Sequence, residues 1–310
     1  MVLKYWNTAK YQIPSTKLQT NLKFQYSMTK TKNSFGISNF GHCYLFDICV
    51  LLFGIFPPVG GDYQMPKTPS HHIIKNYVRK VYARLATSGT ANVSHAPIAS
   101  GEDLAHALGY DTSGLSISKK AWDLFAGCGN PLQEIKLEPH WTVIDLGCGV
   151  GIDSQIAALS LQPPGRVIGI DITVALLRQA KEHSSAHPGC HWMGGDAEQL
   201  PLLPAKVDLV IANGSFNLMP HKEQALAEIY RILRPGGYLA LADLIVVGEM
   251  EPITAGFEDA WSWCVAGALS AGEYDVLLKS KGFSWWELKE KGNYGPLAAA
   301  HLLARKGGKG

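Results

Sequence analysis

Acidic residues are missing from the first part of this chain. Up to Phe46 there is no Asp or Glu, every positively charged residue is a lysine, and the first arginine is Arg79. From about Met65 the composition changes to Ala, Leu, Gly and charges of both signs. A start assigned too far upstream of Met65 explains this contrast, and so does a poorly ordered extension, whereas a transit peptide would contain arginine. We favour the first explanation and expect residues 1–64 to be extraneous or disordered and residues 65–310 to form the functional domain.

Long apolar runs and concentrated charge are also missing. The one membrane-like stretch, residues 48–56, is far shorter than the roughly 20 apolar residues that span a bilayer. The net charge of +2 comes without a basic cluster, so neither nucleic acid nor a membrane is indicated as a partner. We expect a monomer or homodimer that acts on a small molecule.

The cysteines lack the spacing of a zinc site. Six cysteines are spread over 310 residues, and no two of them form a CxxC pair. This pattern indicates reduced thiols in a cytoplasmic enzyme rather than a disulfide framework, and it predicts no resident metal.

Apolar strands alternate with amphipathic helices in the second half of the chain. Strands are predicted at residues 141–146, 166–170, 190–193, 207–212 and 238–243, with helices at 152–161, 174–183 and 222–233. This alternation predicts a doubly wound, Rossmann-like α/β domain with a mostly parallel sheet and a cofactor-binding core at about 138–245. Helices predicted at 70–85, 102–110 and 119–125 would form an N-terminal lid, and the residues after Asp243 an acceptor subregion.

A Gly-rich turn, residues 145–151, follows the first predicted strand. Its glycines allow a sharp bend and leave room for a ligand against the backbone. Asp171, at the end of the second strand, is placed to accept both ribose hydroxyls of an adenosine. Ile152 stands where GxGxxG needs its third glycine, and Asp145 would attract the cationic groups of S-adenosylmethionine but repel a pyrophosphate. The predicted cofactor is therefore S-adenosylmethionine, and these candidate residues are Asp145, Gly147, Gly149, Gly151 and Asp171.

Three further residues are candidates for cofactor binding. The Asp196 carboxylate can accept from the adenine amino group while the Ala197 backbone meets the ring nitrogens. A helix N-cap is the alternative role for Asp196. Asn213, just past the fourth strand, would lie near the methionine end of the cofactor, with a turn as its alternative role.

Other motifs extend this pattern along the chain. They are GCGNP at residues 127–131, VIDLGCG at 143–149, EIYRILRPGG at 228–237 and CVAGAL at 264–269. With them, the stretch from about Tyr110 onward resembles the class I S-adenosylmethionine-dependent methyltransferases, and most closely the arsenite methyltransferases. The resemblance implies methyl transfer to an acceptor.

The cysteines depart from what this resemblance implies. The family holds arsenite with several thiolates, because a soft centre prefers soft ligands. Gly214 stands where one thiol is expected, residues 65–110 contain no cysteine, and Cys128 is interpreted as structural. Cys264 is then the one remaining ligand candidate, so we expect a small-molecule acceptor other than arsenite. True arsenite methylation is the alternative.

Two further features concern the acceptor. His221 is the nearest candidate base for an acceptor proton, although a histidine at a helix start is also typical of an exposed position. Five aromatic residues of the C-terminal part would either line an acceptor pocket or pack in a lid. They are Trp261, Trp263, Tyr274, Trp285 and Trp286. A nicotinamide-dependent oxidoreductase and a non-catalytic nucleotide-binding protein are the rival interpretations.

Overall fold

The fold is described from a computed structural model, which covers residues 70–88, 101–184, 189–250, 261 and 264–308. The predicted N-terminal extension, residues 1–64, lies outside this part of the chain, as does Trp263. All of the described residues belong to one compact unit.

The first half of the sheet contains the strands that the alternation predicts. Their bounds are β1 Thr142–Leu146, β2 Arg166–Asp171, β3 Cys190–Gly194 and β4 Val207–Asn213, followed by β5 Leu233–Val246. They lie in the order β3-β2-β1-β4-β5, and every neighbouring pair is parallel. The predicted doubly wound α/β fold with a mostly parallel sheet is confirmed.

Helices cover both faces of these strands, which is why the central strands are almost wholly apolar. The crossover helices are α4 Ile152–Leu159, α5 Val174–His183 and α6 Lys222–Ile232. On β1, Val143, Ile144 and Leu146 are completely buried, because parallel strands with helices on both faces have no exposed side. This burial fixes the ends of the strands, and so the position of the turn that follows β1.

The C-terminal residues complete the sheet. They form β6 Leu269–Ser270, α7 Ala271–Lys281, β7 Phe283–Tyr294 and β8 Leu297–Lys306. β6 pairs with the end of β5, while β8 runs antiparallel between β5 and β7. No strands are predicted here from the sequence, because Leu297–Lys306 begins with a continuous apolar run in place of alternation. Both faces of that run are buried, so the period-two signal is lost.

Three helices precede the sheet, as predicted: α1 His71–Ser88, α2 Gly101–Ala107 and α3 Lys119–Asp123. Ser118 caps α3 by accepting a hydrogen bond from the backbone N–H of Ala121 at 3.2 Å. Leu104, Trp122 and Phe125 pack with Ile152 and Leu176 of the crossover helices in a second apolar cluster. Within the described residues, no helix combines the length and the apolar character needed to cross a bilayer.

Candidate functional site

A cavity lies at the carboxyl ends of β1, β2 and β4, the edge at which open α/β sheets bind ligands. α1 forms its wall on the opposite side. Of the predicted cofactor residues, seven line this cavity: Asp145, Gly147, Gly149, Asp171, Asp196, Ala197 and Asn213. Gly151 is the exception.

The Gly-rich turn is shaped by residues with positive φ. Gly149 has a φ of 55°, and a Cβ atom built on it meets no atom within 4 Å, so its Cα borders open space. Gly151, with a φ of 79°, precedes α4, and a Cβ there would lie 2.2 Å from the Trp192 ring. Gly149 therefore leaves room for a ligand, whereas Gly151 is needed for packing.

Asp171 joins the end of β2 to this turn. Its Oδ2 accepts from the backbone N–H of Gly149 at 2.9 Å, and its Oδ1 accepts from the backbone N–H of Thr173 at 2.7 Å. Burial raises the pKa of this carboxyl group. A carboxylate has about four lone-pair positions, so acceptor capacity beyond the bonds to Gly149 and Thr173 is left for a ligand hydroxyl in the cavity.

Two more buried carboxyl groups border the cavity. Asp145 accepts from Ser154 Oγ at 2.6 Å, and Asp153 accepts from the Tyr110 hydroxyl at 2.5 Å. Burial and the neighbouring Asp153 raise the pKa of Asp145, and burial raises the pKa of Asp153. Both shifts arise mainly because burial penalises the charged form of a carboxyl group. A positively charged ligand group would stabilise the pair, whereas a pyrophosphate would be repelled.

Asn213 has a structural role that the sequence does not indicate. Its Oδ1 accepts from the backbone N–H groups of Cys128 and Gly129 at 2.8 and 3.2 Å. Its Nδ2 donates to the carbonyl of Gly129 at 2.8 Å and to Asp153 at 3.0 Å. The Asn213 side chain therefore fixes the 127–131 loop to the end of β4. It also lines the cavity.

Asp196 begins a turn and not a helix, so its alternative N-cap role is wrong. The backbone N–H of Gln199 donates to the carbonyl of Asp196 at 2.9 Å, and Oδ1 of Asp196 accepts from the backbone N–H of Glu198 at 3.0 Å. Its Oδ2 accepts from Lys75 Nζ of α1 at 2.6 Å. The adenine contact predicted for this carboxylate therefore has a lysine beside it, which the sequence analysis missed.

Cys264 lies against a second thiol, Cys128. The two Sγ atoms and a carboxylate oxygen of Asp243 all lie within 4.8 Å of one another, and all three residues are buried. The Cys264 thiol donates to the carbonyl of Gly214 at 3.0 Å, and its backbone has a φ of 65°, a strained value for a residue with a Cβ. The Cys128 thiol and burial raise the pKa of Cys264, and burial raises that of Asp243 to about 6.

Gly214 stands directly beside this thiol pair. A Cβ atom on Gly214 would lie 3.1 Å from the Sγ atom of Cys128. A cysteine at this position would therefore complete a group of three thiols. Cys128 was interpreted as structural because the sequence alone gives no distance between the 127–131 loop and residue 264. Asp243 was missed, although it lies near the carboxyl end of a buried strand.

His221 lies just before α6 and is exposed. Its ring contacts that of His71 on α1, and it is not among the residues that line the cavity. The structure therefore does not bring this candidate base into the site. Lys222, which the sequence analysis did not consider, is closer to the thiols: burial lowers its pKa to about 8, and it donates to the carbonyl groups of Asn217 and Met219.

Of the two roles left open for the C-terminal aromatic residues, packing fits the described ones better than a single acceptor wall. Trp285 is exposed on β7, Trp286 packs on the main core, and Tyr274 packs against Phe216 in the same core. Trp261 alone of these four lies near the cavity, where its Nε1 donates to the carbonyl of Leu218 at 2.9 Å.

Comparisons with known proteins agree with this geometry. A family model described as a methyltransferase domain matches residues 137–292, which is half of the chain. An arsenite methyltransferase of Halobacterium salinarum is 32% identical over 233 residues, which are 70% of this chain and 59% of the relative. A demethylmenaquinone methyltransferase of Lactiplantibacillus plantarum is 33% identical over 135 residues, covering 43% and 55% of the two chains. The chain thus spans little more than half the length of these relatives.

One solved structure is similar in both sequence and fold. It is the arsenic (III) S-adenosylmethionine methyltransferase of Chlamydomonas reinhardtii, with 29% sequence identity and a TM-score of 0.52. The match covers 59% of this chain and 68% of that one.

Proposed function

Because the chain belongs to the methyltransferase domain family, we propose that it transfers the methyl group of S-adenosylmethionine to a small-molecule acceptor. The observation that carries this proposal is the arrangement around Asp171. Its carboxylate and the open Cα of Gly149 border a cavity that also contains two buried carboxyl groups.

The residues of the cavity fit this cofactor. Asp171 offers free acceptor positions at the end of β2, which suits the two hydroxyls of a ribose. Asp145 and Asp153 hold raised pKa values and, within the described residues, no cation is among the causes of their shifts; a ligand with an ammonium group and a sulfonium would stabilise their ionised forms. The same charge opposes a dinucleotide pyrophosphate and therefore disfavours the oxidoreductase interpretation.

The contribution of the chain is mainly orientation and the exclusion of water. When bound, S-adenosylmethionine supplies an electrophilic methyl group on a positively charged sulfur. Asp171 and the Gly149 backbone would fix the adenosine, while Asn213 holds the 127–131 loop at the acceptor side. α1 covers the cavity with Val78 and Tyr82 and so keeps it poor in water.

Arsenite is the second candidate acceptor, and the pair of Cys128 and Cys264 favours it. Two Sγ atoms bind a thiophilic centre more tightly than a single thiol does. The structure therefore supports arsenite as an acceptor more strongly than the sequence, from which Cys264 alone was counted as a ligand. The cysteines of the described residues are free thiols, which is the state expected of cysteines in a cytoplasmic enzyme. A quinol is the other type of acceptor, as the similarity to the demethylmenaquinone methyltransferase suggests.

Transfer of a labelled methyl group tests this proposal. The protein is incubated with methyl-labelled S-adenosylmethionine and either arsenite with a thiol reductant or a quinol, and the products are identified by mass spectrometry. We expect a labelled small molecule and production of S-adenosylhomocysteine. Labelled arsenic that disappears in Cys264→Ser and Cys128→Ser identifies arsenite as the acceptor, and labelled quinol identifies the alternative. Absence of any product from a panel of acceptors, together with absence of cofactor binding, would refute the proposal.

A further inference from the structure

One face of α1 is divided into a polar and an apolar half. Lys75, Val78, Tyr82 and Leu85 lie on one face of α1 and line the cavity, and His71 precedes Lys75 by one helical turn. The apolar half covers the cavity, and the polar half meets charged groups at the predicted adenine end.

Lys75 holds two carboxylates at once. Its Nζ donates to Asp196 Oδ2 at 2.6 Å and to Glu198 Oε2 at 2.5 Å. The side chain of Glu198 is only 7% exposed and that of Lys75 is 22% exposed, so water screens the Lys75–Glu198 pair less than it screens surface pairs, whereas Asp196 is 36% exposed. Burial lowers the pKa of Lys75, but its bonds to Asp196 and Glu198 outweigh this effect, and the net pKa is raised. Lys75 is therefore a cation at neutral pH.

Glu198 extends this connection to α6. Its other oxygen, Oε1, accepts from the backbone N–H of His221 at 2.9 Å, and the His221 ring contacts His71. Two side chains of α1 thus bind the same rim, which is formed by the turn after β3 and the start of α6. The contact of the two histidines lies beside the lysine contact, on the same side of the helix.

We propose that Lys75 clamps α1 over the cavity through Asp196 and Glu198, and that this clamp opens before the cofactor is exchanged. The inference rests on the proposed function, because it takes the cavity to be the cofactor site. Since Lys75, Val78 and Tyr82 of α1 line the cavity, movement of this helix would widen the path by which a bound cofactor leaves. Moving the helix breaks two charge-assisted hydrogen bonds. Lys75 also orients Asp196, and it is thereby a positioning residue for the adenine end.

Release of S-adenosylhomocysteine measures the clamp. Dissociation from the immobilised full-length protein is followed by surface plasmon resonance for wild type, Lys75→Met and Lys80→Met. Lys80 is exposed on the same helix, so Lys80→Met is the matched control. We expect Lys75→Met to release the ligand about ten times faster, as the loss of charge-assisted bonds implies, and Lys80→Met to behave as wild type. Higher salt should speed release from the wild type more than from Lys75→Met.

Two further measurements separate a clamp from a general loss of stability. Lys75→Met/Glu198→Gln removes the carboxylate that would be left buried without its partner, and it should keep the fast release while regaining thermal stability. Amide exchange of residues 71–80 in the ligand-free protein should be faster in Lys75→Met than in Lys80→Met. If the wild type binds S-adenosylhomocysteine and Lys75→Met releases it at the wild-type rate, the clamp is refuted and the proposed function stands. If the wild type does not bind it, the proposed function is refuted and the clamp with it.

Discussion

Gly149 donates its backbone N–H to the Asp171 carboxylate at 2.9 Å, so the turn after β1 and the end of β2 form one binding surface. The position needs a glycine for two reasons. Its φ is 55°, and the space where a Cβ would stand is open cavity. A methyl group there would project into the volume that we assign to the cofactor.

Gly149→Ala should therefore abolish cofactor binding at a modest cost in stability. The strain of a Cβ at this φ is about 1–2 kcal/mol. Gly114→Ala is the matched control, because Gly114 also has a positive φ and open space around its Cα but does not line the cavity. Thermal unfolding with and without S-adenosylhomocysteine should show similar losses for both variants, and a ligand-induced shift for Gly114→Ala alone. An equal ligand shift in both would contradict the assignment.

Asn213→Ala should destabilise the fold by about 2–4 kcal/mol, because it leaves the buried N–H groups of the 127–131 loop without an acceptor. Tyr110→Phe removes one hydroxyl from the same network and should cost less. Urea unfolding gives both free energies. A change below about 1 kcal/mol in Asn213→Ala would show that the loop does not depend on this side chain.

A thiol at position 214 should increase arsenite affinity. Its Cβ would lie next to Cys128 Sγ, and three thiolates hold arsenite more tightly than two. Gly214→Ala imposes the same strain at a φ of 61° without the thiol and is the control. Calorimetry with arsenite should show a gain of at least about tenfold in Gly214→Cys relative to Gly214→Ala. Equal affinities would show that the acceptor site does not extend to residue 214.

Cofactor binding should depend on pH through the buried carboxyl pair. A carboxyl group whose pKa is raised on folding stabilises the folded protein below its unfolded pKa of about 4, and this stabilisation is lost as the pH rises through the folded pKa. A cationic ligand offsets that loss by binding the ionised pair. The increase in Tm caused by S-adenosylmethionine should therefore grow between about pH 5 and about pH 8.

Asp145→Asn serves as the comparison for this pH dependence. The variant removes one charge of the pair, so its ligand-induced shift should vary less with pH than that of the wild type. Differential scanning fluorimetry over the pH range measures both. A wild-type shift that is constant with pH would show that these carboxyl groups do not meet the positive charge of the ligand.

The sequence predicted the features that follow from local spacing. Asp145 and Asp171 end buried parallel strands, so strand order and the Gly-rich turn were enough to bring them together. The resemblance to class I methyltransferases and the α/β fold are both confirmed, because they rest on the same repeated βα units.

Contacts between distant parts of the chain could not be predicted in this way. Lys75 meets Glu198 across 123 residues, and Cys128, whose backbone N–H donates to Asn213, lies beside Cys264 although the two are far apart in the sequence. The strand Leu297–Lys306 was missed for another reason: it is buried on both faces and has no alternation to recognise. His221 was named as a candidate base by its place in sequence, with an exposed position at a helix start as the alternative; it is exposed, and its ring lies against that of His71 on α1.

Calorimetry of the purified protein with S-adenosylhomocysteine and with NAD tests the central claim most directly. Asp171→Ala removes the proposed ribose acceptor, while Asp275→Ala removes an exposed carboxylate of α7 and is the control. We expect S-adenosylhomocysteine to bind to wild type and to Asp275→Ala, its affinity to fall about tenfold or more in Asp171→Ala, and NAD not to bind. Binding of NAD with no response to S-adenosylhomocysteine would contradict it.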